Sequence, residues 1–234
     1  MPDASLLAAK RVSIDPTCYE PFMGVMERSD FVLAGRHVRL EPLDFRHAAG
    51  LTAASAGADP DLYRWSFVPI GASAVREYIA TAHRWRDEGN AIPFCIVRAS
   101  DGTPIGSTRF FDIERWGWPD GYDNAGRPFD ACEIGYTWLS PNAIRTAANT
   151  EAKLLLLTHA FETWKLWRIV FHTDERNARS RNALAGIGAK FEGILRAYRV
   201  ATDVTPRNSA RFSIVASEWP DVKRALECRL VDVP

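Results

Sequence analysis

The chain has 234 residues, 47% of them hydrophobic, enough for one full core without division into two equal domains. Lys+Arg and Asp+Glu each total 29, so the formal net charge is zero and no global field draws the protein to nucleic acid or an anionic membrane. The four cysteines (Cys18, Cys95, Cys132, Cys228) lie scattered among apolar neighbours without a Cys-x-x-Cys pair, which argues against a disulfide framework or zinc site and for buried thiols in a reducing compartment.

Near the start, Leu6 to Ala9 is an apolar run too short for a secretory core, and no run approaches membrane-spanning length. A cytoplasmic protein is the expectation. Residues 1–30 mix Pro2, Pro16 and Pro21 with single aromatics and read as an irregular N-terminal arm, in which Tyr19, Phe22 and Met23 could dock. Residues 31–234 read as a single domain. "RHVRLEPL" alternates Val38 and Leu40 with polar residues, as a half-buried strand does, and a helix is expected from Asp44. "SAVREYIATAHRWRDEG" predicts an amphipathic helix capped by Ser73 and ended at Gly89. Two apolar runs around Asp101-Gly102 predict a β-hairpin. After a long polar and aromatic stretch, "CEIGYTWL" reads as a strand. "NTEAKLLLLTHAFETW" reads as a buried helix capped near Asn149, because its apolar residues cover more than half the circumference. "WRIVFHT" is a strand, and a helix from about Ala178 to Ile187 is closed by Gly188. "KFEGILRAYRV" and "ARFSIVASEW" are strands, and Pro220 can start a last helix. The order describes a mixed α/β (α+β) domain without internal repeats.

That order, with "CEIGYTWLSP", "NTEAKLLLLTHAFE" and "NARSRNALAGIGAKFEGILR", resembles the GNAT superfamily of N-acetyltransferases, and within it the RimJ/RimL-like branch of ribosomal-protein N-terminal acetyltransferases. The resemblance covers roughly Arg36 to Trp219. It implies a mixed, mostly antiparallel central sheet flanked by helices, with a splayed strand pair, Cys132 to Leu139 against Arg168 to Thr173, whose opening takes acetyl-CoA. The pantetheine arm would pair with exposed strand backbone, and backbone N–H groups around Trp138 and Leu139 would meet the thioester oxygen. The pyrophosphate would sit on Ile144, Arg145, Thr146, Ala147, Ala148, Asn149 and Thr150, where a helix start supplies free amides and a positive dipole end. The family's loop pattern there, Gln/Arg-x-x-Gly-x-Gly/Ala, has its three defined positions at Ile144, Ala147 and Asn149 in this chain, none of them glycine. A positive φ at Ala147 would cost about 1 kcal/mol or more, unless the loop takes ordinary helical geometry.

For deprotonating the amine, the resemblance points to Glu133, whose buried neighbourhood would strengthen it as a base. Asp112 and Glu114 stand in reserve. The family's usual tyrosine acid falls on Leu184, leaving Ser180 to serve the departing thiolate. Asn177 would contact CoA or simply cap its helix, and Arg179 or Arg181 could meet the adenosine 3′-phosphate or be solvated. His172 reads as a satisfied sheet histidine, and no metal is implied.

Two aromatic loops, Leu62 to Gly71 and Glu114 to Ala131, could wall an acceptor site with Trp65, Phe67, Trp116 and Trp118, or form a hydrophobic cluster pinning a long loop. Asp112, Asp120, Asp123 and Asp130 could attract a cationic amine or serve solubility. The leading reading is an acetyl-CoA-dependent N-acetyltransferase acting on a small aminoacyl-like or antibiotic-like amine or a protein N-terminus, as a monomer or homodimer. The missing glycines and tyrosine motivate the alternative of a non-catalytic CoA-binding or sensory module.

Overall fold

The computed structural model describes residues 31–57, 59–124 and 126–231. The proposed arm, with Tyr19, Phe22, Met23 and Cys18, lies outside them. Two short strands, β1 (Leu33–Ala34) and β2 (Val38–Pro42), lead through a 3-10 turn capped by Asp44 into α1 (Ala48–Ser55), and α2 (Ala72–Asp87) follows. Next come β3 (Ala91–Arg98), β4 (Pro104–Glu114) and β5 (Ala131–Leu139), then α3 (Ala147–Thr158) and β6 (Arg168–Asp174). The chain continues through α4 (Ala178–Gly186), β7 (Lys190–Val200), β8 (Pro206–Val215) and α5 (Trp219–Val231).

The strands form one sheet in the order β1-β2-β3-β4-β5-β6-β8-β7. Every neighbouring pair is antiparallel except β5 and β6. Alternation along β3 divides the core. Phe94 and Ile96 join the cluster containing Leu156 and Leu157 of α3 and Trp219 and Leu226 of α5, whereas Cys95 and Val97 pack with Leu51 of α1 and Val75 and Ile79 of α2. The strand is therefore covered on both faces, which is why its sequence reads as a continuous apolar run. The β3–β4 hairpin turns at Gly102 with φ 73°, where Asp101 Oδ1 accepts from Thr103 N–H at 2.9 Å.

Several element ends differ from the sequence expectation. The helix α2 starts at Ala72 with Gly71 as N-cap and no side-chain cap, so Ser73 lies inside the first turn. Thr146, rather than Asn149, caps α3, its Oγ1 accepting from Ala148 N–H at 3.2 Å. The strand β8 begins at Pro206 and pairs with β7 from there. Of the cysteines within the described residues, Cys95 and Cys132 are buried as expected, but Cys228 is exposed. None of the helices searched is long and apolar enough to cross a membrane.

One buried carboxylate fixes the start of α3 against the sheet. Glu151 accepts from three successive backbone N–H groups, those of Arg36 at 2.8 Å, His37 at 2.6 Å and Val38 at 2.7 Å. Charge-assisted bonds of this kind are the stronger ones, and each orphaned donor would carry a desolvation cost. Gly35 belongs to the same arrangement, since an added Cβ would meet Glu151 Cδ at 2.4 Å. Glu151→Gln should therefore lower stability by about 2–3 kcal/mol and the melting midpoint by roughly 5–10 °C. Combining Gly35→Ala with it should cost less than the sum of the two single changes in urea unfolding; strict additivity would show that the glycine and the carboxylate act independently.

Candidate active site

Strands β5 and β6 pair at Ala131–Arg168, Cys132–Ile169 and Glu133–Val170, and then separate. Beyond that point β6 follows β8 as far as Asp174–Ser209. The strand β5 stays with β4 through a register shift between Ser107 and Arg109, next to Tyr136 with φ 49°. The gap opens into a cavity of about 850 Å³, within the usual range for small-molecule sites. Its walls are the diverging strands, the starts of α3 and α4, the segment carrying Tyr63, Trp65 and Phe67, and the β7–β8 ribbon.

Glu133 sits at the vertex, 3% exposed, because the last residue of the β5–β6 ladder projects into the gap. Its Oε2 accepts from Arg199 Nη2 at 2.8 Å and lies 2.8 Å from His172 Nδ1. The other ring nitrogen of His172, Nε2, is buried and has no hydrogen-bond partner among the described residues. Arg199 also pairs with Asp112, whose carboxyl is raised above its ordinary pKa by burial, an effect Arg199 partly opposes. The four groups form one network spanning β4, β5, β6 and β7.

At the other end, the first-turn amides of Ala147 and Asn149 have no intrahelical acceptor, and both residues line the cavity with Ile144, Arg145, Thr146 and Thr150. Ala148 is the exception on this turn: its amide is taken by Thr146 and it does not line the cavity. The feared positive φ is absent at Ala147. It falls instead on Arg145, at 63°. Across the gap, Asn177 caps α4 by accepting from Ser180 N–H at 3.0 Å, and both residues line the cavity. Arg179 lines it too while donating to the Leu62 carbonyl, and Arg181 donates to the Glu175 carbonyl at 3.2 Å. Trp138 and Leu139 line the β5 side, where the Leu139 carbonyl already accepts from Tyr63 Oη at 2.7 Å and keeps a second lone pair.

Trp65 and Phe67 line the cavity as expected, with Arg176 stacked on the Trp65 ring at 4.0 Å. Trp116 and Trp118 do not. They are held away from it by Asp130, which accepts from Trp116 N–H at 2.8 Å and Trp118 Nε1 at 2.7 Å, while Trp118 stacks on Tyr122 at 4.1 Å. This is the loop-pinning cluster, and Asp130 is its buried anchor. Asp112 reaches the site only through Arg199.

Lys153, His172, Arg199 and Arg207 were not singled out as site residues from the sequence. Lys153 alone carried a readable signal, a lysine inside the apolar arc of α3. It is 4% exposed, lines the cavity, and donates from Nζ to Thr137 Oγ1 at 2.8 Å. Burial pushes its pKa down to about 7.

The sequence matches the family model for the acetyltransferase (GNAT) domain over residues 37–190. The chain belongs to the GNAT acetyltransferase family. Among solved GNAT structures it is similar to a GCN5-related N-acetyltransferase from Brucella melitensis, with 27% identity over 85% of each chain and a TM-score of 0.73. A T. thermophilus protein provisionally named an acetyltransferase is 32% identical over 85% of this chain and 96% of that one, with a TM-score of 0.68. The fold is also shared with Mycobacterium smegmatis RimJ in complex with CoA-disulfide, at 24% identity over 85% and 91% of the two chains and a TM-score of 0.65. No curated protein matches the sequence.

The Lys153 environment has a measurable consequence for the GNAT domain. An unfolded lysine near its ordinary 10.5 binds more protons than the folded one across the window from about 7 to 10.5. Stability contributed at this site therefore rises with pH through that window and is lowest below it. In urea unfolding, the wild type should gain on Lys153→Met between about pH 7 and about pH 9.5. A difference independent of pH would show that Lys153 is not depressed in the fold.

Proposed function

We propose that residues 31–234 act as an acetyl-CoA-dependent N-acetyltransferase of the RimJ/RimL-like kind, transferring acetyl to a primary amine. The observation that carries the reading is the Glu133–His172 pair, held at 2.8 Å at the vertex of the splay in a domain of the acetyltransferase family. Bound acetyl-CoA supplies the activated acetyl group. The free amides at the start of α3, with Arg145 and Arg179, suit its phosphates, and the unpaired edge of β5 suits an extended amide chain.

The chain's own residues then answer each chemical demand. An amine is a nucleophile only when neutral, and His172, which lines the cavity beside Glu133, is the candidate to take its proton while Glu133, 2.8 Å from Nδ1, orients the ring. Glu133 thus acts through His172, which refines the direct-base reading. Arg199 keeps the Glu133 carboxylate oriented. Backbone N–H groups of β5 near Trp138 and Leu139 polarise the carbonyl oxygen, and the Ser180 hydroxyl is available to the departing thiolate. The loop bearing Trp65 and Phe67 is clasped by Arg179 on Leu62 and by Thr202 on Arg64, an enclosure that favours a small acceptor over a folded partner's N-terminus.

His172→Gln and Glu133→Gln should each lower kcat by about 10²–10⁴-fold, the usual worth of a positioned acid–base group. Acetyl-CoA affinity should be retained in both, read by CoA-thiol release and by direct titration. Full activity in either variant would remove the pair from the chemistry. Tight acetyl-CoA binding with no thiol release across a broad amine panel would instead favour the non-catalytic module.

A further inference from the structure

Cationic side chains dominate the cavity: Arg145, Lys153, Arg179, Arg199, Arg207 and Arg229 line it, whereas Glu133 is the only lining carboxylate among the described residues. Most have an evident occupation. Arg145 and Arg179 stand at the α3 and α4 starts, where phosphates are expected, and Arg199 is neutralised by Glu133 and Asp112.

Arg207 has none. It is the direct cross-strand partner of Arg199, and like charges placed opposite each other on a sheet repel. Among the described residues no carboxylate lies within 4.0 Å of its guanidinium; Nε donates to Ser209 Oγ at 2.9 Å, and Nη2 is buried without a partner. The charged and polar groups facing it are Arg199, Glu133, Asp174 and Tyr136. Asp174 is already held by Arg176 through both oxygens, and Glu133 by Arg199 and His172. Burial and the Arg199 charge lower the Arg207 pKa from its ordinary value, but a guanidinium stays protonated. A half-buried, always-charged fork with a spare donor, placed beside the proton-accepting pair, lacks its anion.

We propose that Arg207 anchors an anionic group of the acceptor, so that the amine presented to Glu133 and His172 belongs to a small molecule bearing a carboxylate or a phosphate. The amine part rests on the acetyltransferase reading above; the anion part does not. A guanidinium fork suits either oxyanion. An acceptor with this group would complete the charge balance that the fold leaves open at the β7–β8 ribbon.

The test is calorimetric titration of matched pairs into the protein saturated with CoA, which fills the phosphate end first. The pairs are phenylalanine against phenylalaninamide, β-alanine against β-alaninamide, and aminoethyl phosphate against ethanolamine. In at least one pair the member carrying the carboxylate or phosphate should bind about tenfold or more tightly than the member lacking it, the usual strength of a bond to a charged group. That preference should fall to near unity in Arg207→Gln and survive in part in Arg207→Lys. The carboxylate and phosphate arms separate the two anions. Equal affinities in every pair, or a preference undiminished in Arg207→Gln, would overturn the proposal. If melting shows that Arg207→Gln does not fold, Arg207→Lys decides: a reduced preference supports the anchor and an unchanged one refutes it. An anionic preference that depends on Arg207, without thiol release from acetyl-CoA, would sink the transferase reading while leaving the anion site standing.

Discussion

Glu133 and Val170 form the last rung of the parallel ladder between β5 and β6, and the site depends on the ladder stopping there. Each strand remains paired on its other side, β5 with β4 and β6 with β8, so the split costs no sheet order beyond the gap itself. Inside the gap, backbone groups of β5 that would have met β6 face a cavity. Such groups need partners. Tyr63 answers one of them by donating to the Leu139 carbonyl, and an extended ligand laid along β5 would answer others. The shift of register at Tyr136 bends β5 away and keeps the ladder from resuming.

Buried charge at this vertex is a poor way to gain stability, because desolvating an ion pair usually cancels much of its attraction. Glu133, His172 and Arg199 nonetheless occupy positions where apolar side chains would pack. Lys153 breaks the same rule on α3, held by a single hydroxyl at 2.8 Å. Departures of this kind, clustered in one cavity of an otherwise consistent core, are where a fold gives up stability for chemistry. The contrast with Glu151 is instructive. That carboxylate is equally buried, but three backbone N–H groups satisfy it outside the cavity, and its role is to join α3 to the sheet.

Much of the fold was legible because periodicity reports burial: the alternation in "RHVRLEPL" and the apolar arc of α3 both became the elements they suggested. Boundaries were less so. Thr146 and Asn149 are both good cap residues, and only the backbone decides between them. The absence of glycine at Ala147 suggested strain, but sequence carries no φ, and the left-handed residue proved to be Arg145. The site was half legible. Glu133 and Ser180 come from local motifs, whereas Arg199 reaches Glu133 across 66 residues and its role exists only once the sheet is assembled. His172 showed itself as a strand residue and nothing more, because the carboxylate that orients it sits on another strand. Trp116 and Trp118 looked like a ligand surface since aromatic residues mark both binding walls and loop anchors, and Asp130 made them the latter.

The opening between β5 and β6 should take acetyl-CoA despite a start of α3 without glycine. This binding is tested most directly by the melting midpoint of the purified protein with and without acetyl-CoA in large excess. At about 100-fold over the dissociation constant the folded state gains about 2.7 kcal/mol, which should raise the midpoint by roughly 5–10 °C. No shift at millimolar acetyl-CoA would contradict the account, since the free amides of Ala147 and Asn149 would then not be a phosphate site.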